Sequence, residues 1–473
     1  MPKYTCDRCL KEFSQKSHFD KDLIKKKPCQ DNKSKIEEVV ENIINKKLIN
    51  ENTKLHTNTQ LVMDNIETDD YSDLSRKITA DISKVEKKNN GIFFTPPTTI
   101  SYNIKLLAPY MKDVKTILEP SCGSCEYISK LNNMNSNYNI CGIELNKKIY
   151  ESIKHYNSDN LILINDNYLT YKFTTKFDLI IGNPPYFVIK KTDVEECYFN
   201  YFDGRPNIFI LFIIKSLELL NANGILSFIL PKNFLNCLYY DKTRKYLFEN
   251  YKILNIVECD DKYIETQQNT IILIIQNKKP TNDNNLSYSI NISNYTIFGT
   301  KENIKLLKSL YSNSTTLNNL GFNVSVGNVV WNQCKEILTD DNEKTLLIYS
   351  SDIVNNELCI KKYSNKEKKN YIDKTGDDRP IIVINRGYGV GSYKFNYCII
   401  NENENNKIKY LIENHLICIK YSTDICNNDL IEKYRQLVTS LENDKTKKFI
   451  KLYFGNNAMN TTELCKILPI YDI

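Results

Sequence analysis

No apolar run in the 473 residues reaches the roughly 18 needed to span a bilayer; the longest, near residues 208–214, is broken by Lys215. A membrane-embedded role is therefore not expected. The chain starts Met-Pro-Lys-Tyr-Thr-Cys, without the apolar core and small-residue cleavage site of a secretory leader, which predicts a cytoplasmic protein on the reducing side of a membrane. The fifteen cysteines are odd in number and scattered through apolar and helical stretches alike, so buried thiols are expected rather than a disulfide framework. Internal repeats are missing as well. The N-terminal linker also lacks the second acidic and lysine cluster that a fused nuclease needs.

What is present is a globular composition, 41% hydrophobic and 25% charged, in a chain too long for one ordinary core. The net charge of +6 is modest, but residues 1–30 hold eight Lys/Arg against four Asp/Glu. That basic end suits either nucleic acid or plain solvation. The same segment contains Cys6-x2-Cys9, then Phe13, His18, Asp22 and Cys29. Two cysteines at that spacing resemble the start of a small zinc finger, and a closed tetrahedral site needs four ligands. Cys6, Cys9 and Cys29 supply three; Asp22 or His18 completes the set. Residues 35–48 place Ile36, Val39, Val40, Ile43, Ile44 and Leu48 on one helical face, which packs on its own chain or on a second copy. A polar stretch to residue 87 reads as a linker.

From residue 114 short apolar runs alternate with helical stretches, the pattern of βαβ units and a doubly wound, mainly parallel α/β sheet. Strands are predicted at 114–118, 139–145, 161–164, 177–181 and 225–230, and runs at 253–258 and 270–276 add an antiparallel pair. In such sheets ligands bind at the carboxyl ends of the strands, where strand order reverses. Chemistry-bearing residues fall at those ends. The turn Glu119-Pro120-Ser121-Cys122-Gly123 follows the first strand: Gly123 permits close backbone approach, and the Glu119 carboxylate suits a cationic amino group. Glu144 ends the second strand, placed for both hydroxyls of a ribose. Asp166 follows the third and suits the exocyclic amine of an adenine.

After the fourth strand comes Asn183-Pro184-Pro185-Tyr186. Two prolines fix φ and remove amide hydrogens, so the carbonyls here are stiffly aimed acceptors. With the Asn183 side-chain oxygen they offer two acceptors to a planar NH₂ group. Holding both hydrogens draws the nitrogen lone pair out of conjugation and frees it to attack a methyl sulfonium. Tyr186 offers a face for a planar target to stack on.

These residues, over roughly 88–280 and more loosely to the C-terminus, resemble the N6-adenine DNA methyltransferases of type II modification systems and their relatives in large DNA viruses. Gly91-Ile92-Phe93-Phe94-Thr95-Pro96 looks like that family's N-terminal cofactor motif, and the order of motifs is similar to the gamma subgroup. The resemblance implies a Rossmann-like S-adenosylmethionine-dependent domain at 88–284, contacted by Phe94, Thr95 and Pro96 and by Asn183, followed by an α+β target-recognition domain at 285–473. It implies site-specific methylation of double-stranded DNA, and a separately encoded restriction endonuclease as a partner. It also implies a second stacking aromatic nine residues beyond Pro231, which is Tyr240, with Tyr239 and Phe234 as neighbouring alternatives. Cys125 stands where the family commonly has glycine or another small residue. In the C-terminal part, Asn385-Arg386-Gly387-Tyr388-Gly389-Val390-Gly391-Ser392-Tyr393-Lys394 reads as a loop whose Arg386 and Lys394 suit phosphate or guanine, or as a Gly-rich hairpin with surface charges. Methylation of RNA adenine or of a protein glutamine amide needs the same acceptors, and a silent DNA-binding protein is the third alternative.

Overall fold

The computed structural model describes residues 4–5, 12–13, 70–259, 263–264, 266, 268–281, 284–386, 395–401, 409–454 and 459–471. The first compact unit, Met1–Asp69, contributes only β1 (Tyr4–Thr5) paired antiparallel with β2 (Glu12–Phe13). The expected zinc ligands Cys6, Cys9, His18, Asp22 and Cys29, and the helix expected at 35–48, lie outside the described residues.

The second unit, Asp70–Ile473, opens with two short helices, α1 (Asp73–Asp81) and α2 (Lys84–Asn90). This corrects the linker reading over residues 70–87; residues 49–69 lie outside the described residues. Ser72 and Ser83 each cap a helix through their side-chain oxygens, and Ile78 and Ile82 pack against Ile149. With two apolar anchors in so short a span, the stretch shows no sustained period, yet both helices are docked. The Ser72 and Ser75 hydroxyls, each 2.5 Å from Glu126 Oε1, add polar fastening.

Helix α3 (Pro97–Leu107) then leads to β3 (Thr116–Glu119), α4 (Glu126–Met134), β4 (Asn139–Glu144), α5 (Lys147–Ile153), β5 (Leu161–Asn165) and β6 (Phe177–Gly182). After α6 (Ile208–Glu218) come β7 (Leu220–Pro231), α7 (Asp241–Asn250), β8 (Lys252–Cys259) and β9 (Thr270–Gln276). The seven strands form one sheet in the order β5-β4-β3-β6-β7-β9-β8. Pairing is parallel from β5 through β7, and β9 joins β7 and β8 antiparallel. Strand side chains alternate between the two faces: Ile117, Leu179 and Ile225 enter the core under α3 and α4, and Leu118, Ile180 and Leu226 enter the core under α6 and α7. The sequence predicts the fifth strand only over 225–230. Instead β7 begins at Leu220, with a register irregularity against β6 between Phe177 and Leu179. The Asn221 amide on Asp178 (2.8 Å) ties that start to the neighbouring strand. No helix among the described residues is long and apolar enough to cross a membrane, because α6, the most apolar, is 11 residues long.

A hairpin, β10 (Ser289–Ile292) and β11 (Tyr295–Phe298), packs against α7 and is followed by α8 (Lys301–Tyr311) and β12 (Phe322–Val326). The strands β13 (Leu338–Thr339), β14 (Thr345–Ile348), β15 (Ile353–Val354), β16 (Glu357–Leu358), β17 (Tyr371–Ile372), β18 (Ile381–Asn385), β19 (Tyr397–Ile400), β20 (Tyr410–Ile412) and β21 (Leu416–Tyr421) follow, and α9 (Asn427–Glu442), α10 (Asp444–Tyr453) and α11 (Thr461–Lys466) close the chain. Two four-stranded sheets result, β12-β21-β18-β19 and β13-β17-β14-β20. The hairpin contributes to two cores, Phe298 to that of the seven-stranded sheet and Ile292 and Ile297 to that of the helices α8–α11. The twelve described cysteines are all free thiols.

Candidate active site

Strand order reverses between β3 and β6, since the chain winds outward from β3 to β5 and then returns to β6 on the other side. A cavity of about 490 Å³ lies at the carboxyl ends of these strands. Of the residues singled out in the sequence, Phe94, Thr95, Glu119, Pro120, Ser121, Gly123, Glu144, Asp166, Asn183 and Pro185 line it. Pro96 caps α3, and Pro184 is buried behind the wall.

Three segments far apart in the sequence converge on Asn183. Its Nδ2 donates to Thr95 Oγ1 (3.0 Å) and to the Phe93 carbonyl (3.4 Å). A carbonyl can only accept, so this side of the amide must be the NH₂, and Oδ1 is left on the other side as an acceptor. Ser121 Oγ donates to the Asn183 carbonyl (3.2 Å), and the Tyr186 hydroxyl lies 2.5 Å from Asn183 Oδ1 and 2.7 Å from the Ile229 carbonyl. One phenolic hydrogen faces two acceptors, so at any moment one of them is free of it. Gly91 locks the arrangement from outside: at φ +65° it ends α2, and a side chain there would come within 2.7 Å of the Tyr186 amide nitrogen.

The two carboxylates differ. Glu119 is buried, and burial, with Cys125, Glu126 and Glu144 nearby, pushes its carboxyl well above the usual range; the Ile128 amide only moderates this. Its Oε2 has no hydrogen-bond partner among the described residues. An orphaned buried carboxylate oxygen on a cavity wall is costly unless a ligand supplies a donor, and an ammonium fits it. Glu144 is instead held by backbone: Oε2 accepts from the Gly123 amide (3.0 Å) and Oε1 from the Asn146 amide (2.7 Å). Burial pushes it up to about 7 against the pull of those amides. Each oxygen keeps a lone pair for a hydroxyl. Gly123 reaches Glu144 at φ +51°, where a side chain would meet the Phe94 ring at 3.2 Å. The donor set thus fits S-adenosylmethionine: an orphaned buried carboxylate oxygen suits an ammonium, and a backbone-held carboxylate suits hydroxyls.

Tyr240 is not among the cavity-lining residues. It is buried, its ring edge-on to Phe209 (5.1 Å) and tilted against Phe234 (6.1 Å); Tyr186 meets the same Phe209 edge-on at 6.0 Å. Tyr186 and Tyr240 therefore share one aromatic cluster behind the wall. Arg386 follows β18 in the C-terminal part, away from this cavity, and Lys394 lies outside the described residues. Among the described residues no His, Cys, Asp or Glu cluster is arranged to hold a metal.

Sequence reasoning missed Leu145, Phe187, Ile208 and Phe212, which give the cavity its apolar walls. Leu145 is 67% exposed at the end of β4, and an exposed leucine directly after a strand-end acid was the available signal. Ile208 and Phe212 sit one turn apart on α6, but that helix is apolar all round, so no period distinguishes its cavity face.

The comparisons agree with this geometry. The chain is 27% identical over 413 residues to the type II methyltransferase M.CvrRI of Paramecium bursaria Chlorella virus XZ-6E, covering 85% of this chain and 99% of that protein. It is 26% identical over 409 residues to the modification methylase CviBIII of Paramecium bursaria Chlorella virus NC1A, again covering 85% and 99%. With the type II methyltransferase M.AccI of Acinetobacter calcoaceticus it shares 29% identity over 199 residues, 40% of this chain and 36% of the other. The Eco57I restriction-modification methylase family matches residues 11–265, more than half of the chain, and the protein belongs to that family.

Proposed function

We propose that this restriction-modification methylase transfers methyl from S-adenosylmethionine to the N6 amine of an adenine flipped out of double-stranded DNA, as a gamma-type enzyme. The observation that carries the reading is Asn183, whose amide orientation is fixed by Thr95 and Phe93 on the wall of the same cavity as the orphaned Glu119. Bound S-adenosylmethionine supplies a methyl group on a sulfonium. Asn183 Oδ1 and the Pro184 carbonyl accept the two amine hydrogens, so the nitrogen lone pair points out of the ring plane. The N–CH₃ bond forms as S–CH₃ breaks, and the amine then gives one proton to solvent. No base of unusual strength is required.

In this reading Tyr186 leaves its contact with Asn183 Oδ1 as the target's amine takes that acceptor, and its ring stacks on the base, with Tyr240 on the second face. Phe94, Thr95, Pro96, Pro120, Ser121, Gly123 and Asp166 complete the cofactor contacts. Residues 285–473 recognise the target, with Arg386 and Lys394 on DNA. Cys6, Cys9 and Cys29 with Asp22 or His18 hold a structural zinc ion, and a separately encoded endonuclease cuts the unmodified sequence.

The test is transfer of radiolabelled methyl to unmethylated duplex DNA, with RNA and protein as competing substrates and Asn183→Ala alongside. Label recovered as N6-methyladenine from DNA, falling about 100-fold or more in the variant while cofactor affinity stays within a few fold, is the expected result. Label on RNA or protein moves the substrate and overturns the DNA reading.

A further inference from the structure

Two connections leave the carboxyl ends of the central strands β6 and β7, residues 183–207 and 232–240, and together they form the rim beside the cavity. The first is closed on itself at the cavity wall. The Ile208 amide donates to the Phe187 carbonyl (2.9 Å) and the Ile189 amide to the Pro206 carbonyl (3.0 Å), and both Phe187 and Ile208 line the cavity. Gly204, four residues before Ile208, lies under the ring of Tyr239: a side chain added there would sit 3.6 Å from Tyr239 Cε1.

Tyr239 belongs to a single 3-10 turn, Leu238–Tyr240, in which neighbouring side chains point about 120° apart. The turn sends Tyr240 inward against Phe209 and Phe234 and sends Tyr239 outward, where it is 63% exposed. An exposed tyrosine held over a glycine is a flat, projecting plate. The surrounding rim carries charges of both signs, with Asp193, Glu195 and Glu196 exposed on the first connection as well as Lys191. Lys190 and Arg205 are exposed on the first connection, and Lys242 pairs with Asp203 (2.7 Å) beside Gly204. With its charges balanced, this rim presents the projecting aromatic ring rather than a cationic surface, and such a ring suits the stacked bases of a nucleic acid.

We infer that Tyr239 enters the space a flipped nucleotide leaves in the duplex and stacks on the neighbouring base pairs, holding the flipped state while the base occupies the cavity. This rests on the adenine-methylating reading above. Extrusion breaks stacking on both faces of the departing base, and an inserted ring restores part of it. The geometry divides the labour within one turn: Tyr240 toward the cavity side, Tyr239 toward the gap. Because Tyr239 is 63% exposed, its removal is expected to leave the fold intact.

The experiment uses the full chain, Tyr239→Ala and Tyr239→Phe. The duplex carries the target sequence mapped from plasmid DNA methylated by the unsubstituted protein. Methylation is measured on that duplex and on one in which the target adenine faces an abasic site and flips without breaking a pair. Tyr239→Ala is expected to lower kcat on the paired duplex about tenfold or more, and the deficit is expected to shrink to within about twofold on the abasic duplex; Tyr239→Phe keeps the ring and the rate. With 2-aminopurine as the target base, the fluorescence rise on binding falls in Tyr239→Ala although DNA affinity changes less than about threefold. Equal rates for Tyr239→Ala and the parent on both duplexes, or the same deficit on both, overturns the proposal. Absence of adenine methylation by the unsubstituted protein overturns the underlying reading instead.

Discussion

The edge of the seven-stranded sheet and the C-terminal pair of four-stranded sheets handle function in opposite ways. In the first, parallel pairing from β5 to β7 brings the carboxyl ends of five strands to one edge, so residues separated by dozens of positions meet around one cavity. In the second, strands are mostly antiparallel and their order, β12-β21-β18-β19 and β13-β17-β14-β20, departs from chain order. Successive strand ends point in opposite directions and do not converge on one edge. Chemistry concentrates where topology makes strand ends converge, and under the proposed reading of residues 285–473 a recognition surface needs only that its loops be held.

The two regions meet at Arg244, and breaking that joint has the largest expected effect. The guanidinium is fully buried; Nη1 donates to the Phe234 and Cys237 carbonyls on the rim connection, and Nε donates to the Thr296 carbonyl on the β10–β11 hairpin. Asp241, which also accepts from the Thr296 amide, sits beside it. Arg244→Met leaves the Phe234, Cys237 and Thr296 carbonyls without their donor, while Asp241 keeps the Thr296 amide and Lys245, at a cost of about 3–5 kcal/mol. A lowered urea midpoint is the readout. If the two regions are separable in function, the folded fraction still binds S-adenosylmethionine within about threefold of the parent while methyl transfer collapses.

The fold of the first region was legible because its strands are short apolar runs buried on both faces, and each ends in a residue with chemistry: Glu119, Glu144, and Asn183 just beyond Gly182. What could not be read is how the motifs touch. Asn183 meets Thr95 across 88 positions and Ser121 across 62, and nothing local encodes either bond. The α1–α2 pair was hidden because its anchoring, by Ile78, Ile82 and serine hydroxyls, leaves an almost wholly polar sequence. In the second region, β13, β15, β16 and β17 are two residues long, too short for any alternation to declare itself.

Within the cavity the comparison sharpens to two carboxylates, and Glu144 gives the next largest effect. Its folded value of about 7 stands above its ordinary 4.5, so the folded state favours the protonated form. The stability this contributes is fully present below pH 4.5 and is lost as pH rises to about 7, a span of about 3 kcal/mol at most. Without cofactor, the thermal midpoint is therefore expected to fall between pH 5 and 7.5, and Glu144→Gln to flatten that fall. A midpoint that rises over this range in the parent contradicts the assignment.

Glu119 is next. Its burial and orphaned Oε2 raise its carboxyl well above the ordinary range and so favour the protonated form in the empty cavity, whereas an arriving ammonium favours the ionised one. Binding of S-adenosylmethionine then releases a proton, which calorimetry detects as a dependence on buffer ionisation enthalpy. Glu119→Gln is expected to abolish that release and weaken binding about tenfold to thirtyfold, the range of a hydrogen bond to a charged group. Unchanged proton release in the variant would assign the proton to another residue.

The smallest effect is expected at Cys125, where a buried cysteine sits at φ +64°, ψ +28° and its amide closes a tight turn on the Cys122 carbonyl (2.7 Å) at the start of α4. A left-handed residue with a Cβ carries about 1 kcal/mol of strain, which glycine removes. Against this, Cys125→Gly empties the space of a fully buried thiol and adds freedom to the unfolded chain, each worth about 0.5–1 kcal/mol. The terms offset, and the urea midpoint is expected to stay within about 1 kcal/mol of the parent with methyl transfer retained. Cys125→Val lacks that offset, because a β-branched residue is forced into the same backbone region, and a loss of about 2–3 kcal/mol is expected. A large loss in Cys125→Gly would mean that the thiol's packing, rather than the left-handed turn, holds Gly123 and its amide against Glu144.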